Sequence, residues 1–310
     1  MARSDASSFL AIDLTTAGAP RAWQRDRDPQ TEEFITARLA GLAKLIDDAG
    51  ADLITVGSPF RLGGRRKRDD YLDGAVTLSR IGSHTDSVRL AAAIPLNEAG
   101  PKTVHTTLAA LNSATGDRGG WLVDNRSPAT ALEVVAQSVN RSLPGTSVVI
   151  DIDDDADIDV AAAYAQVARL RVATVEEARN LRSEIKNKAE RFGRSAEDID
   201  VIIDARVVLA QDVTDAQNRA DFIAELTQNQ PANLLQHVGT PRTLATVWHN
   251  WVRAGAADGF TLIPASIPTD VVAIASGLID QLQQRGLRNA NAPALEVQTI
   301  GATAGEVVAA

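Results

Sequence analysis

The chain has no cysteine. That removes disulfides, thiolate nucleophiles and any zinc or iron–sulfur centre held by thiolates. It also lacks any run near the ~18 apolar residues of a membrane helix, and its opening residues, "MARSDASSFLAIDL", hold no apolar core of signal-peptide length. A soluble, cytoplasmic protein without membrane contact is expected. Excess positive charge is missing too: the net charge is −9 and the pI about 5.0, which argues against a nucleic-acid partner, since neutralising phosphates needs a basic footprint. Several catalytic signatures are absent: the glycine fingerprint of dinucleotide binding after the first strand, a phosphate-binding P-loop, a G-x-S-x-G elbow with its triad and an H-E-x-x-H zinc pair. What is present is a 310-residue chain, 45% hydrophobic and 23% charged, enough for a large globular core.

The stretch "AGAADGFTLIPASIP", residues 254–268, sets the pattern. Before it, Thr240 can cap a helix, Pro241 suits its first position, and Leu244, Val247, Trp248, Trp251 and Val252 recur at helical spacing until Gly255. "DGFTLIP" then reads as a short strand buried on both faces, and "TDVVAIASGLIDQLQQRG" returns to helical period. The same unit recurs upstream. Strands are expected at "SFLAIDLT", "ADLITVGS", "VRLAAAIPL", "GGWLVDN", "TSVVIDID", "QVARLRV" and "DVIIDARVVLA". A first helix with Phe34, Ile35, Leu39, Leu42 and Ile46 on one face separates the first two, and a Thr174 to Glu177 capping box opens the helix after the sixth. Eight strands alternating with helices predict a (β/α)8 TIM barrel, as a single domain over residues 1–290 with a loosely packed tail at 291–310. In such barrels the chemistry lies at the C-terminal strand ends, so Ile263–Ser266 face the site and Asp258 and Gly259 lie at the quiet end.

The last 34 residues of this pattern, "AGAADGFTLIPASIPTDVVAIASGLIDQLQQRGL", with "HVGTPRTLATVW" before them, resemble the C-terminal signature of the bacterial luciferase-like flavin monooxygenases, in particular the nitrilotriacetate and sulfone monooxygenase branch. "ADLITVGSPF", "TTLAALNSATGDRGGWLV" and "AERFGRSAEDIDV" agree in order, so the resemblance runs from about residue 8 to about residue 287. It implies a luciferase-like barrel, commonly a homodimer, that binds reduced FMN or a deazaflavin and acts on a small organic substrate, with a flavin reductase as possible partner. The implied cofactor-binding positions are Gly57, Ser58, Ala93, Pro95, Leu122, Asp124, Asn125 and Asp151. The chain departs from the family at three places. Gly57 and Ser58 stand where acidic residues are usual, Asp124 and Asn125 replace hydroxyls that can bond a flavin phosphate, and "DIDDDADID" replaces a Gly/Ser-rich phosphate loop. Carboxylates there would repel a phosphate dianion. The implied alternatives are therefore a deazaflavin enzyme, or a barrel that binds flavin weakly or not at all and serves as a partner or ligand-binding subunit. A covering insertion of longer members is missing between Asn125 and Thr130.

Other motifs have plainer readings. The run Asp151–Asp159 lacks the glycine and glutamate of a calcium loop, with Ala156 and Ala162 in their places, and suits a helix start; no metal is expected. Arg65, Arg66, Lys67 and Arg68 follow the second strand and could meet an anionic tail, though a solvated loop accounts for them equally. Among the four histidines, His105 is the candidate acid or base, taken to lie near the start of the third helix and the active face. His84 and His237 are placed toward the opposite end and His249 within a helix. Trp121, on the fourth strand, could line a cofactor pocket or fill the core.

Overall fold

A computed structural model describes residues 7–18, 29–62, 70–124, 128–226 and 233–289. In chain order the elements are β1 (Phe9–Asp13), α1 (Pro29–Asp48), β2 (Leu53–Val56), α2 (Asp73–Ile81), β3 (Arg89–Ala93), α3 (Leu96–Thr115), β4 (Gly119–Val123), α4 (Ala129–Ser142), β5 (Ser147–Ile152) and α5 (Asp155–Tyr164). They continue with β6 (Val167–Leu170), α6 (Val175–Arg191), β7 (Asp200–Leu209), α7 (Val213–Leu226), β8 (Leu235–Gly239), α8 (Pro241–Arg253), β9 (Gly259–Pro264), α9 (Thr269–Ala273) and α10 (Ile279–Gln284). A π turn at Ile274–Leu278 joins the last two helices.

Eight parallel strands close on themselves in the order β1 to β7, then β9, which pairs back onto β1 with Gly259 opposite Phe9. These are the eight strands the sequence pattern predicts, and the architecture is a (β/α)8 TIM barrel. Closure depends on a glycine: a Cβ at Gly259 would sit 2.0 Å from the Phe9 carbonyl oxygen.

The ninth strand, β8, is a correction. It pairs with the C-terminal half of β7, Ala205 opposite Leu235 through Leu209 opposite Gly239. It thus continues, higher up, the edge of β7 that β6 occupies at Asp200–Ile203. Its signal in the sequence is weak because "LQHVG" is short and only Gly239 is fully buried. The preceding α7 is similarly sparse, burying only Ala216 and leaving Phe222 and Leu226 exposed.

Period-two alternation divides each strand between two cores. Outward residues such as Leu10, Ile12, Ile54, Leu90, Ile150 and Ile203 join the helices in the main core. Inward residues Phe9, Ala11, Leu53, Ala91, Ala93, Leu122, Val149, Val167 and Ile202 form a separate apolar plug inside the barrel. The helix stripes behave as their spacing requires. In α8, Thr240 caps with its side chain on Thr243 N, Leu244 and Trp248 are buried, and Trp248 packs on Phe260 at a ring-centroid distance of 4.5 Å. In α1, Ile35, Leu39, Leu42 and Ile46 are buried, but Phe34 is 57% exposed, one position off the stripe.

The N-terminal face is structural. Asp258 accepts from Arg182 at 2.6 Å and Val201 N at 2.8 Å, and Arg288 pairs with Asp52 at 2.6 Å. Among the described residues no helix is long and apolar enough to cross a membrane.

Candidate functional site

Above the apolar plug, toward the C-terminal strand ends, the inward positions turn polar. Asp13 of β1, Thr55 of β2, Asp151 of β5, Arg169 of β6, Asp204 of β7 and Thr261 of β9 are all buried. Arg169 is their hub. Its Nε and Nη2 each donate to one oxygen of Asp204 at 2.9 Å, a planar fork that a lysine could not reproduce. Nη2 also donates to Asp13 Oδ2 at 3.3 Å, and Nε lies 3.4 Å from Asp151 Oδ1. Thr55 Oγ1 donates to the same Asp13 oxygen at 2.8 Å. A second guanidinium, Arg171, reaches down from the rim to Asp151 Oδ2 and to Asp153 Oδ1, the latter at 3.2 Å.

Burial disfavours charge on every member of this layer, so the counterions decide. For Arg169 burial alone would lower the pKa, but Asp151, Asp204 and Asp13 outweigh it and hold the guanidinium charged. Asp151 goes the other way. Burial pushes its carboxyl up, Arg169 and Arg171 pull it down, Asp204 and Asp124 push it up again, and the result is about 7. Its Oδ1 accepts no hydrogen bond. A carboxyl in that state can hold or release a proton near neutrality.

A second cluster sits at the ends of β1, β2 and β4. Asp124 accepts from both Ser58 N and Ser58 Oγ at 2.5 Å, while Thr15 Oγ1 accepts from Gly57 N at 2.7 Å. A side chain at Gly57 would meet Asp124 Oδ2 at 2.9 Å and Thr15 Oγ1 at 3.0 Å, so glycine lets the two strand ends approach. Burial raises the Asp124 pKa, against the two Ser58 bonds that lower it. At the end of β5, the N-terminus of α5 is closed by its own acids. Asp154 accepts from Ala156 N and Asp157 N, and Asp157 accepts from Asp153 N and Asp154 N. Burial raises the Asp157 pKa in this box.

Known structures share this architecture. EDTA monooxygenase (EmoA) from Chelativorans sp. BNC1 superposes with a TM-score of 0.70 at 12% identity, over 93% of this chain and 97% of that one. The chain shares the (β/α)8 barrel fold of that structure. Riboflavin lyase (RcaE), solved with modified FMN and riboflavin, gives 0.69 at 13% identity over 93% and 94%. The coenzyme F420-dependent tetrahydromethanopterin reductase from Methanopyrus kandleri gives 0.59 at 13% over 91% and 98%. No protein-family model matches the sequence, and no curated protein does.

Within this barrel the expected positions separate. Gly57, Ser58 and Asp124 come together in one cluster, and Asp151 belongs to the charged layer behind it. Ala93 and Leu122 are buried in the apolar plug, and Pro95 is buried at the N-cap of α3. Asn125 lies outside the described residues, as do Arg65, Arg66, Lys67, Arg68 and the 291–310 tail. The acidic run caps α5 rather than forming a cation loop; among the described residues no group of three or more such ligands gathers.

Two histidines are corrected. His105 lies on α3 beyond the kink at Gly100, in the outer layer, with Nε2 2.7 Å from Ser142 Oγ at the C-terminal end of α4, the end away from the C-terminal strand ends. His237 is on β8, in register with Val207, and so stands at the C-terminal end of the barrel. Burial lowers its pKa, and its Nε2 is 3.0 Å from Thr243 Oγ1. Trp121 points outward into the main core and donates to Ile94 O at 3.1 Å.

The hub residues Asp13, Arg169 and Asp204 are absent from the expected set. Their signal was present all the same, as charges at alternate positions of apolar strands: "VARLR" and "DVIIDAR".

Proposed function

We propose that the chain is an oxidoreductase of the luciferase-like class, acting on a small organic substrate with a reduced flavin or deazaflavin at the C-terminal face. The observation that carries this reading is the Asp151 carboxyl, poised near neutrality between Arg169 and Arg171 at the catalytic end of this fold. The residues at the strand ends do not suit the phosphate of FMN where the resemblance would put it. Ser58 already gives both its donors to Asp124, and the first amides of α5 are taken by Asp154 and Asp157. What the chain's own residues supply is a buried carboxyl, Asp151, that can take up or release a proton near neutrality, and a desolvated layer beneath it.

That misfit favours a second reading, a barrel with weak or no flavin binding that serves as a partner or ligand-binding subunit. Titration of the purified protein with FMN, riboflavin and a deazaflavin, followed by fluorescence and visible absorbance, separates the two. Micromolar binding of any of them supports the oxidoreductase, whereas silence at high micromolar concentration supports the subunit. We propose further that the protein works as a homodimer, supplied by a flavin reductase if it uses reduced flavin. Light scattering should then give twice the 32.8 kDa protomer mass.

A further inference from the structure

The charges around the barrel mouth are unevenly distributed. On the β4 and β5 side stand Asp124, Asp153, Asp154 and Asp157, with their donors already committed. On the β6 and β7 side stand Arg171 and Arg206, with Asp212 capping the start of α7 and Asp270 held by Leu209 N and Arg219. Arg171 is paired with Asp151 and Asp153. Arg206 has no partner among the described residues. Among the described arginines it is the only one not fully exposed that makes neither a hydrogen bond nor an ion pair; the others without a polar partner, such as Arg80 and Arg242, lie exposed on helices.

Its direction follows from the strand. Ile202 lies in the internal plug and Asp204 bonds the hub Arg169, so both face inward, and alternation along β7 points Arg206 the same way, one step nearer the opening. Its cross-strand neighbours bring no negative charge. In register are Ile263 on β9 and Gln236 on β8, an exposed amide that can also donate. Asp204, one step below, is spent on the Arg169 fork. Opposite Asp204 on β9, Thr261 Oγ1 is buried without a partner, a second polar atom on this side of the lumen left unsatisfied. Arg206 is only partly buried, so its unpaired guanidinium remains open to the barrel mouth, where a ligand oxyanion can take its donors as a planar fork.

We propose that Arg206 is the anchor of an oxyanion subsite at the β7–β8 side of the barrel mouth, taking the phosphate or carboxylate of a bound ligand. The acidic β4–β5 side turns the anionic end of that ligand away, so the mouth fixes its orientation as well. This subsite does not depend on the flavin reading.

The test uses the full chain and the variants Arg206→Ala, Arg206→Lys and, as an exposed control, Arg80→Ala. Inorganic phosphate is titrated against chloride at equal ionic strength, with thermal midpoint and calorimetry as readouts. The wild type and Arg80→Ala should bind phosphate alike, Arg206→Ala at least about tenfold more weakly, and Arg206→Lys in between, since a point charge lacks the fork. Without phosphate, Arg206→Ala should melt no lower than the wild type, which a structural arginine would not allow. FMN and riboflavin then identify the source of the oxyanion. If the wild type prefers FMN and Arg206→Ala does not, the cofactor tail supplies it; if the preference is unchanged while phosphate binding is lost, the substrate does. Phosphate binding through Arg206 with no response to either flavin would keep the subsite and remove the flavin reading. Equal phosphate binding by wild type and Arg206→Ala would overturn the proposal.

Discussion

Asp151 and Asp204 share one guanidinium at the hub, and the difference between them decides how the site responds to pH. Asp204 has both oxygens in the Arg169 fork, whereas Asp151 has one oxygen without a hydrogen bond and titrates near 7. A carboxyl whose folded pKa lies above its unfolded value binds the extra proton in the folded state, so its stabilisation is complete below about pH 4 and is lost as the pH rises to about 7. Asp151→Asn should remove that slope. Urea unfolding at pH 5 and pH 8 should show a wild-type loss larger than the variant's by on the order of 2 kcal/mol. Arg169→Met strips the buried carboxylates of their counterion and should cost about 3–5 kcal/mol in the same assay at pH 8. The cost should shrink toward pH 5, as Asp151 takes up its proton.

At the scale of elements, α5 and β8 show how local and non-local terms compete. The sequence predicts a helix start at the acidic run, and the capping box on Asp154 is the reason it holds. Asp154→Ala should destabilise by about 1 kcal/mol in chemical denaturation, and it frees the amides of Ala156 and Asp157. A gain in phosphate affinity by this variant would place a latent anion site at α5. No gain would leave the β7 side as the anion-binding side. β8 was not legible because nothing in five residues, of which only Gly239 is buried, distinguishes a strand from a loop; the pairing partner, the second half of β7, supplies the definition. With β8 unread, His237 was assigned to the wrong end of the barrel. His105 differs for another reason: the segment Leu96–Gly100 precedes the helix that carries it and sets it in the outer layer, against the C-terminal end of α4.

For the whole molecule, the decisive contact joins the first and last barrel strands, 250 positions apart. Gly259→Ala puts a methyl group against the Phe9 carbonyl and should cost about 3 kcal/mol or more, lowering the thermal midpoint while Ala substitution at the open Gly41 does not. The sequence by itself determined the eight barrel strands, the helix caps, the barrel class and the acidity of the fourth and fifth strand ends. Those features depend on short-range periodicity and on side chains beside their own backbone. Only the tertiary structure decided which charges are neutralised. Asp13 and Arg169 are 156 positions apart, and Arg169 and Asp204 are 35 apart, yet barrel closure sets them within hydrogen-bonding distance while leaving Arg206 without a counterion. A charge at an inward strand position can be read from a sequence, but its partner is fixed by the curvature and register of the closed sheet.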